Sequence, residues 1–275
     1  MIEPIEESNF GEAVGLLAEG FPRGSRAYWA GALERIDALG ENRALGIPLG
    51  HIMRTDGRAQ GVALTIASRR PDHGERERVH VNYAAWYVAP DQRWRAPLMM
   101  RALIRTPCDV FTDLTPSTAV RAILPSFGFK QITQGIVLDI TALHQGGGEV
   151  LDLGAVPTQT RALLSTHARF GGQAVALQSR DGALTPILYK IVKWRGLRAA
   201  HILYCASNRL LHGHLGALAK HLRREGIGLI KLDASVDGPP PRGWLRKGRE
   251  LRFVRGPTRP DVTDYLGSEL SLFDW

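Results

Sequence analysis

Apolar positions along the chain recur with two different spacings, and their alternation lays out an α/β (α+β) protein. Met1–Pro4 is short and extended. From Asn9 to Glu19, Phe10, Val14, Leu16 and Leu17 fall on a helical stripe, which Phe21-Pro22-Arg23-Gly24 breaks. Ser25 is placed to cap a second helix, Arg26–Leu39, with Tyr28, Trp29, Leu33, Ile36 and Leu39 on one side. Leu49–Arg54 and Gln60–Ser68 read as strands joined across Asp56-Gly57, a hairpin turn signal. The polar stretch 69–78, with Pro71 and Gly74, reads as an exposed loop. Val79–Val88 is dense in β-branched and aromatic residues and predicts a buried strand. Ala89-Pro90-Asp91 stops it, and Gln92-Arg93-Trp94-Arg95 makes a short basic loop. Ala96 to about Arg105 then sets Leu98, Met99, Ala102 and Leu103 at helical spacing, with Pro97 in the first turn, where its missing N–H costs nothing. Asp109–Leu114 is a strand. Thr115-Pro116-Ser117 caps a helix closing near Phe127-Gly128-Phe129, and Lys130–Ile140 is a further strand.

Gln145-Gly146-Gly147-Gly148 is the clearest linker, because a glycine run is too loose for the inside of an element. It divides the chain into 1–143 and 149–275. The second half repeats the element order of the first: helix 158–169, strand 173–179, an Asp-Gly turn at 181–182, strands 185–194 and 199–205, a helix from Ser207 or Asn208 to about Arg224, and strand 228–234. Order and spacing carry this match, not residue identity. The tail from Asp261 to Trp275 holds Tyr265, Leu266, Leu270, Leu272, Phe273 and Trp275, and an end this apolar is expected to dock on the body of the protein.

Composition refines the picture. With 44% hydrophobic residues the chain can bury a substantial core, and a net charge of +8 favours anionic partners. No stretch reaches the roughly 18 apolar residues of a membrane span, and MIEPIEESNF lacks the apolar core of a signal peptide. The two cysteines, Cys108 and Cys205, read as buried small hydrophobes and offer neither a disulfide framework nor a metal cluster, so the cytoplasm is the expected location. His212, His214 and His221 read as solvent-facing helix residues, since zinc needs more converging ligands. The basic run Arg242, Arg246, Lys247, Arg249, Arg252 and Arg255, interleaved with Trp244 and Phe253, reads first as a solvated sheet edge around one buried aromatic. Nucleic-acid binding there is a lesser reading.

Chemistry concentrates in 79–129. A strand, a basic loop and a helix start present free amides, a helix dipole and the cations of Arg93 and Arg95 to an anion such as a phosphate. Here the chain resembles the GNAT acyltransferase superfamily. Tyr87-Val88-Ala89-Pro90 matches that family's strand end, Arg93-Trp94-Arg95-Ala96-Pro97-Leu98 its pyrophosphate loop, and Phe127-Gly128-Phe129 its closing motif. The resemblance implies a mixed central sheet flanked by helices, here as two GNAT-like halves in tandem. It implies acetyl-CoA or another acyl-CoA as cosubstrate, no metal, and a small-molecule or peptide acceptor, an amine by the family's chemistry. It places Trp86, Tyr87, Val88, Arg93, Trp94, Arg95, Ala96, Pro97 and Leu98 at the cofactor, with the amides of 95–98 on its diphosphate. Tyr28 and Trp29 fall at the acceptor wall, and Tyr83, Ser117, His80 and Asp113 are candidates for proton transfer. Ala96 and Leu98 stand where the family has small loop residues, and Leu124 where it often has a tyrosine that protonates the leaving thiolate.

Overall fold

The computed structural model describes residues 1–71, 77–146, 148–179, 182–258 and 261–273. Gly74 of the expected polar loop, Gly147, Arg180 and Asp181 of the second Asp-Gly turn, and Trp275 lie outside the described residues. In chain order the elements are β1 (Ile2–Pro4), α1 (Phe10–Gly20), α2 (Arg26–Leu39), α3 (Glu41–Ala44), β2 (Gly50–Thr55), β3 (Arg58–Pro71), β4 (Glu77–Val88), α4 (Ala96–Leu103), β5 (Val110–Asp113), α5 (Thr118–Ile123), β6 (Lys130–Gln131) and β7 (Thr133–Ile140). There follow β8 (Glu149–Leu151), α6 (Thr158–Ala168), β9 (Gly172–Gln178), β10 (Leu184–Trp194), β11 (Leu197–Cys205), α7 (Asn208–Gly213), α8 (Leu215–Arg224), β12 (Leu229–Ser235), β13 (Trp244–Lys247), β14 (Phe253–Arg255), β15 (Thr263–Asp264) and α9 (Glu269–Leu272).

Contacts sort the chain into two compact units. Unit 1 is Met1–Lys130, Arg252–Pro257 and Gly267–Leu272; unit 2 is Gln131–Leu251, Thr258–Leu266 and Phe273–Trp275. The segments 1–143 and 149–275 therefore each lend pieces to both units. One sheet runs β1-β2-β3-β4-β5-β14-β6, the other β8-β9-β10-β11-β12-β7-β13, with β15 beside β11. Place by place the two orders correspond, and the parallel contact falls at the same place in each, β4 with β5 and β11 with β12. The strand beside that pair comes in each case from the opposite half of the sequence. Phe253–Arg255 of β14 pairs with Phe111–Asp113 of β5, and β7 pairs with β12 from Ile140 opposite Leu229 to Thr133 opposite Ser235. Each supplies main-chain partners to an edge that would otherwise stay unpaired.

Local chemistry explains most elements. Ser25 Oγ accepts from the Tyr28 amide at 3.1 Å, capping α2, which buries Trp29, Ala32, Leu33 and Ile36. Asp56 and Gly57 both take positive φ, the geometry of the hairpin turn their sequence predicts. Four expectations change. Of the stretch 69–78 expected as an exposed loop, Arg69–Pro71 continues β3 and pairs with Glu77–Val79 of β4, and Arg70 is buried. Lys130–Ile140 is two strands, β6 and β7. The basic loop 92–95 is part of a 3-10 helix, Pro90–Arg95. On α4 the buried stripe is Met99, Met100 and Leu103, and Leu98 is 49% exposed, because the side turned to the core is offset by one position. α3 and β8 lie in stretches too short to show periodicity.

The glycine segment before β8 is closely packed. A Cβ on Gly216 of α8 would stand 2.9 Å from Gly146 Cα, so chain and helix meet backbone to backbone. In the basic run, Phe253 is buried while Trp244 is 53% exposed under the Arg246 guanidinium at 4.6 Å.

Ending the chain at Leu251 removes β14 and α9 from unit 1 although Met1–Lys130 is intact. Hydrogen exchange should then show the Val110–Asp113 amides losing protection. Full protection in the shortened chain would mean that β14 adds nothing to that sheet.

Candidate functional site

Strand β4 carries an extra residue where it passes β3. Leu64 faces Ala84 and Val62 faces Tyr87, so two residues of β4 oppose one of β3, and Ala85 takes φ 48° to make the bulge. Below the bulge, β4 pairs with β5 only from His80 to Tyr83, opposite Val110 to Asp113. Ala84–Val88 runs on past the end of β5, and among the described residues no strand pairs with it on that side. Tyr87 is fixed against α1: its hydroxyl donates to Glu19 Oε1 at 2.6 Å, and a Cβ at Gly20 would lie 2.3 Å from its ring. Burial, helped by that carboxylate, pushes the Tyr87 phenol up to about 12. Trp86 is half-buried and Val88 buried.

At the end of β4, two of the four amides expected at 95–98 are not available to a ligand, those of Ala96 and Pro97. Gln92 N–H donates to Ala89 O at 2.9 Å, Ala96 N–H to Arg93 O, and Pro97 has no N–H. The anion chemistry there falls to side chains: Arg93, and Arg95, whose guanidinium stacks 4.5 Å over the 68%-exposed Trp94 ring. A cavity of about 420 Å3 adjoins this turn, lined by Pro97, Arg101, Ile104, Ile123, Ser126 and Phe127. Arg101 was missed in the sequence. Its signal is its position one helical turn beyond Pro97, on the same face.

Among the expected proton-transfer residues, Tyr83 occupies the last β4–β5 pair. It is 2% exposed, stacked on Phe111 at 5.4 Å and 18°, and its hydroxyl has no hydrogen-bond partner among the described residues. Burial holds its phenol well above the usual tyrosine range, so it is protonated at neutral pH. Asp113, paired with Tyr83, is buried. Ser117 Oγ caps α5, accepting from Val120 N–H at 3.4 Å. His80 is half-buried further back along β4, between Ser68 and Val110. Tyr28 is half-buried and meets Trp29 edge to face at 5.1 Å, while Trp29 itself is fully buried. Leu124 is fully buried. Cys108 donates to Val110 O, and burial pushes its thiol up to about 12, which leaves little thiolate for nucleophilic work.

The structure adds a carboxylate that the sequence reading passed over. Glu269, on the docked tail, is completely buried and accepts from Asn82 Nδ2 at 2.5 Å and Thr115 Oγ1 at 2.6 Å. Arg252 lies close by and donates to Leu114 O. Burial raises the pKa of both Glu269 and Asp113, and for Asp113 the neighbouring Glu269 adds to the rise. The available signal was the one charged residue within the run Leu266–Phe273 of the docking tail.

The corresponding place in unit 2 is filled. β11 pairs with β12 over Ala199–His201, and beyond it Tyr204 and Cys205 pair with Asp264 and Thr263 of β15, while Tyr265 N–H donates to Leu203 O at 2.8 Å. The helix start that follows is also occupied. Asp261 accepts from Arg209 N–H at 3.1 Å and from Ser207 Oγ at 2.9 Å.

No protein-family model and no curated protein matches the sequence. Among solved structures, the chain is similar to a GCN5-related N-acetyltransferase from Anabaena variabilis, with 13% identity, 93% of this chain and 72% of that chain covered, and a TM-score of 0.56. It is similar to a conserved protein of unknown function from Enterococcus faecalis, a probable N-acyltransferase, with 10% identity, 97% and 73% covered, and a TM-score of 0.59. It is also similar to Eis1 from Mycobacterium abscessus, with 15% identity, 93% and 73% covered, and a TM-score of 0.52. The chain shares the fold of these solved structures, and its described residues form two units of one topology.

Asp113 and Glu269 set a pH dependence whose sign follows from burial. A carboxyl whose folded pKa lies above its unfolded value adds stability below the unfolded pKa and loses it as pH rises through the folded one. The stability difference between the wild type and Asp113→Asn should therefore shift against the wild type from mildly acidic to neutral pH, read as melting temperature at each pH. A difference that shifts in the wild type's favour would contradict the raised values.

Proposed function

We propose that unit 1 binds an acyl-CoA and transfers its acyl group directly to an acceptor amine. One observation carries the reading: where the parallel strands part, unit 2 fills its gap with β15, while the equivalent main chain of unit 1, Ala84–Val88, has among the described residues no strand on its β5 side. An extended pantetheine arm with its amides can add to such an edge as a strand does. Arg93 and Arg95 lie on the turn and Arg101 lines the cavity, where the diphosphate and nucleotide end would lie, and charge-assisted bonds to phosphate are roughly twice as strong as neutral ones.

In the reaction the amine nitrogen forms a bond to the thioester carbonyl carbon, the C–S bond breaks, the amine gives up a proton and the thiolate takes one. Tyr83 suits the donor role, as a protonated phenol with an uncommitted hydroxyl one residue before the strands diverge. Ser117 is less available because it caps α5. Asp113, paired with Tyr83, can receive the amine proton in its ionised form, and His80 lies further from the divergence. Tyr28 keeps an exposed flank for an acceptor; Trp29 supports it from the core. The 3-10 turn and the buried Leu124 favour a second reading, a ligand-binding module without turnover.

Calorimetry with acetyl-CoA should give one site per chain. Arg93→Ala with Arg95→Ala should weaken binding by at least about tenfold, the scale of one lost charged hydrogen bond, and Arg209→Ala should change little. A stoichiometry of two, or full binding by the double variant, would overturn the assignment. Thioester cleavage with a panel of amines separates the two readings: binding without cleavage supports the module, and Tyr83→Phe should lower kcat more than KM if the enzyme reading holds.

A further inference from the structure

Unit 2 contains a cavity of about 540 Å3 that acyl transfer in unit 1 does not use. One wall is α8, which contributes Lys220, His221 and Arg224. The other is the β8–β9 pair, with Glu149, Gln178 and Ser179, and Gly148 lies at its margin. Lys220 and Arg224 are one helical turn apart, so they share a face, and neither is in an ion pair among the described residues. His221 is held in place by its ring. Its Nε2 lies 3.2 Å from the hydroxyl of the fully buried Tyr189, and that hydroxyl donates its one proton to Gln173 Oε1 at 2.7 Å. The Tyr189 oxygen therefore accepts from His221 Nε2–H, leaving Nδ1 as the ring's remaining polar atom. The backbone contact of Gly216 with Gly146 fixes the glycine segment against the same helix.

We infer that this cavity binds a small phosphorylated, hydroxyl-bearing metabolite. The phosphate lies between Lys220 and Arg224 with His221 beside it, and the hydroxyls donate to Glu149 and Gln178. Two unpaired cations match the charge of a phosphomonoester dianion better than that of a single carboxylate. The carboxylate across the cavity repels a second anionic group and accepts from hydroxyls. The volume lies within the roughly 300–1,000 Å3 of small-molecule sites and exceeds what a bare phosphate needs. None of this rests on acyl transfer in unit 1.

The test is calorimetry on the full chain with a hexose monophosphate, the same hexose without phosphate, and inorganic phosphate. The hexose monophosphate should bind at one site, the free hexose should not, and inorganic phosphate should bind more weakly. Lys220→Ala with Arg224→Ala should weaken binding by at least about tenfold, and Arg224→Gln alone serves if the double variant melts early. Arg246→Ala with Lys247→Ala removes equal charge elsewhere in the unit and should leave binding unchanged. The inference is overturned by the absence of hexose monophosphate binding at millimolar concentration, by equal loss in the Arg246/Lys247 variant, or by inorganic phosphate binding as tightly as the sugar phosphate.

Discussion

The constraint on which both units depend is the parting of two parallel strands. A strand that leaves its neighbour keeps its N–H and C=O groups, and each must find a partner. In unit 2 the chain answers this from within: β15 pairs with Tyr204 and Cys205, the Tyr265 amide bonds to Leu203, and Asp261 satisfies the helix start. In unit 1, β4 runs past β5 with a bulge at Ala85 and is followed by a turn rich in arginine. One topology thus yields a unit closed by its own tail and a unit whose divergent edge, among the described residues, has no strand on the side where β5 ends.

The tail matters to both. Thr263–Leu266 belongs to unit 2 and Gly267–Leu272 to unit 1, so a few residues serve two cores in succession. In unit 1 it is anchored by a buried carboxylate, Glu269, as well as by the fully buried Leu272. Burying Glu269 alone would be costly. Asn82 and Thr115 each donate to it and Arg252 is near, which together offset the loss of water. Removing either donor leaves a buried acceptor short of a partner, a larger loss than the net worth of one hydrogen bond.

Much of this was legible in the sequence. Strands, hairpins and capped helices follow from short-range chemistry: Ser25 and Ser117 cap as expected, Asp56-Gly57 turns as expected, and the dense β-branched run at 79–88 is a buried strand. What escaped is non-local. Nothing in the residues of Phe253–Arg255 says that they pair with β5, more than a hundred residues earlier, or that β7 leaves the sheet of the strands preceding it. Periodicity also misplaced the face of α4 by one position, since Leu98 and Met99 fit a helical stripe equally well and packing alone chose Met99. The stretch 92–95 was read as a short basic loop. Pro90, by fixing φ, favours the tight turn that closes it.

The glycine run shows how one signal supports opposite readings. Three adjacent glycines mark a loose linker when nothing touches them. Here a Cβ on Gly216 of α8 would stand 2.9 Å from Gly146 Cα, and one on Gly148 3.1 Å from Ala217 Cβ and Gln178 O, so glycine at 216 and 148 permits close packing instead. The same helix carries Lys220 and Arg224 at the cavity and a histidine tied to a buried tyrosine. His212, His214 and His221 were read as residues of one helix, but that helix breaks at His214, where the backbone leaves helical geometry between α7 and α8. A spacing argument holds only along an unbroken helix. Past the break these histidines have separate surroundings, and the partner of His221 is supplied by β10, which no periodicity along α8 could reveal.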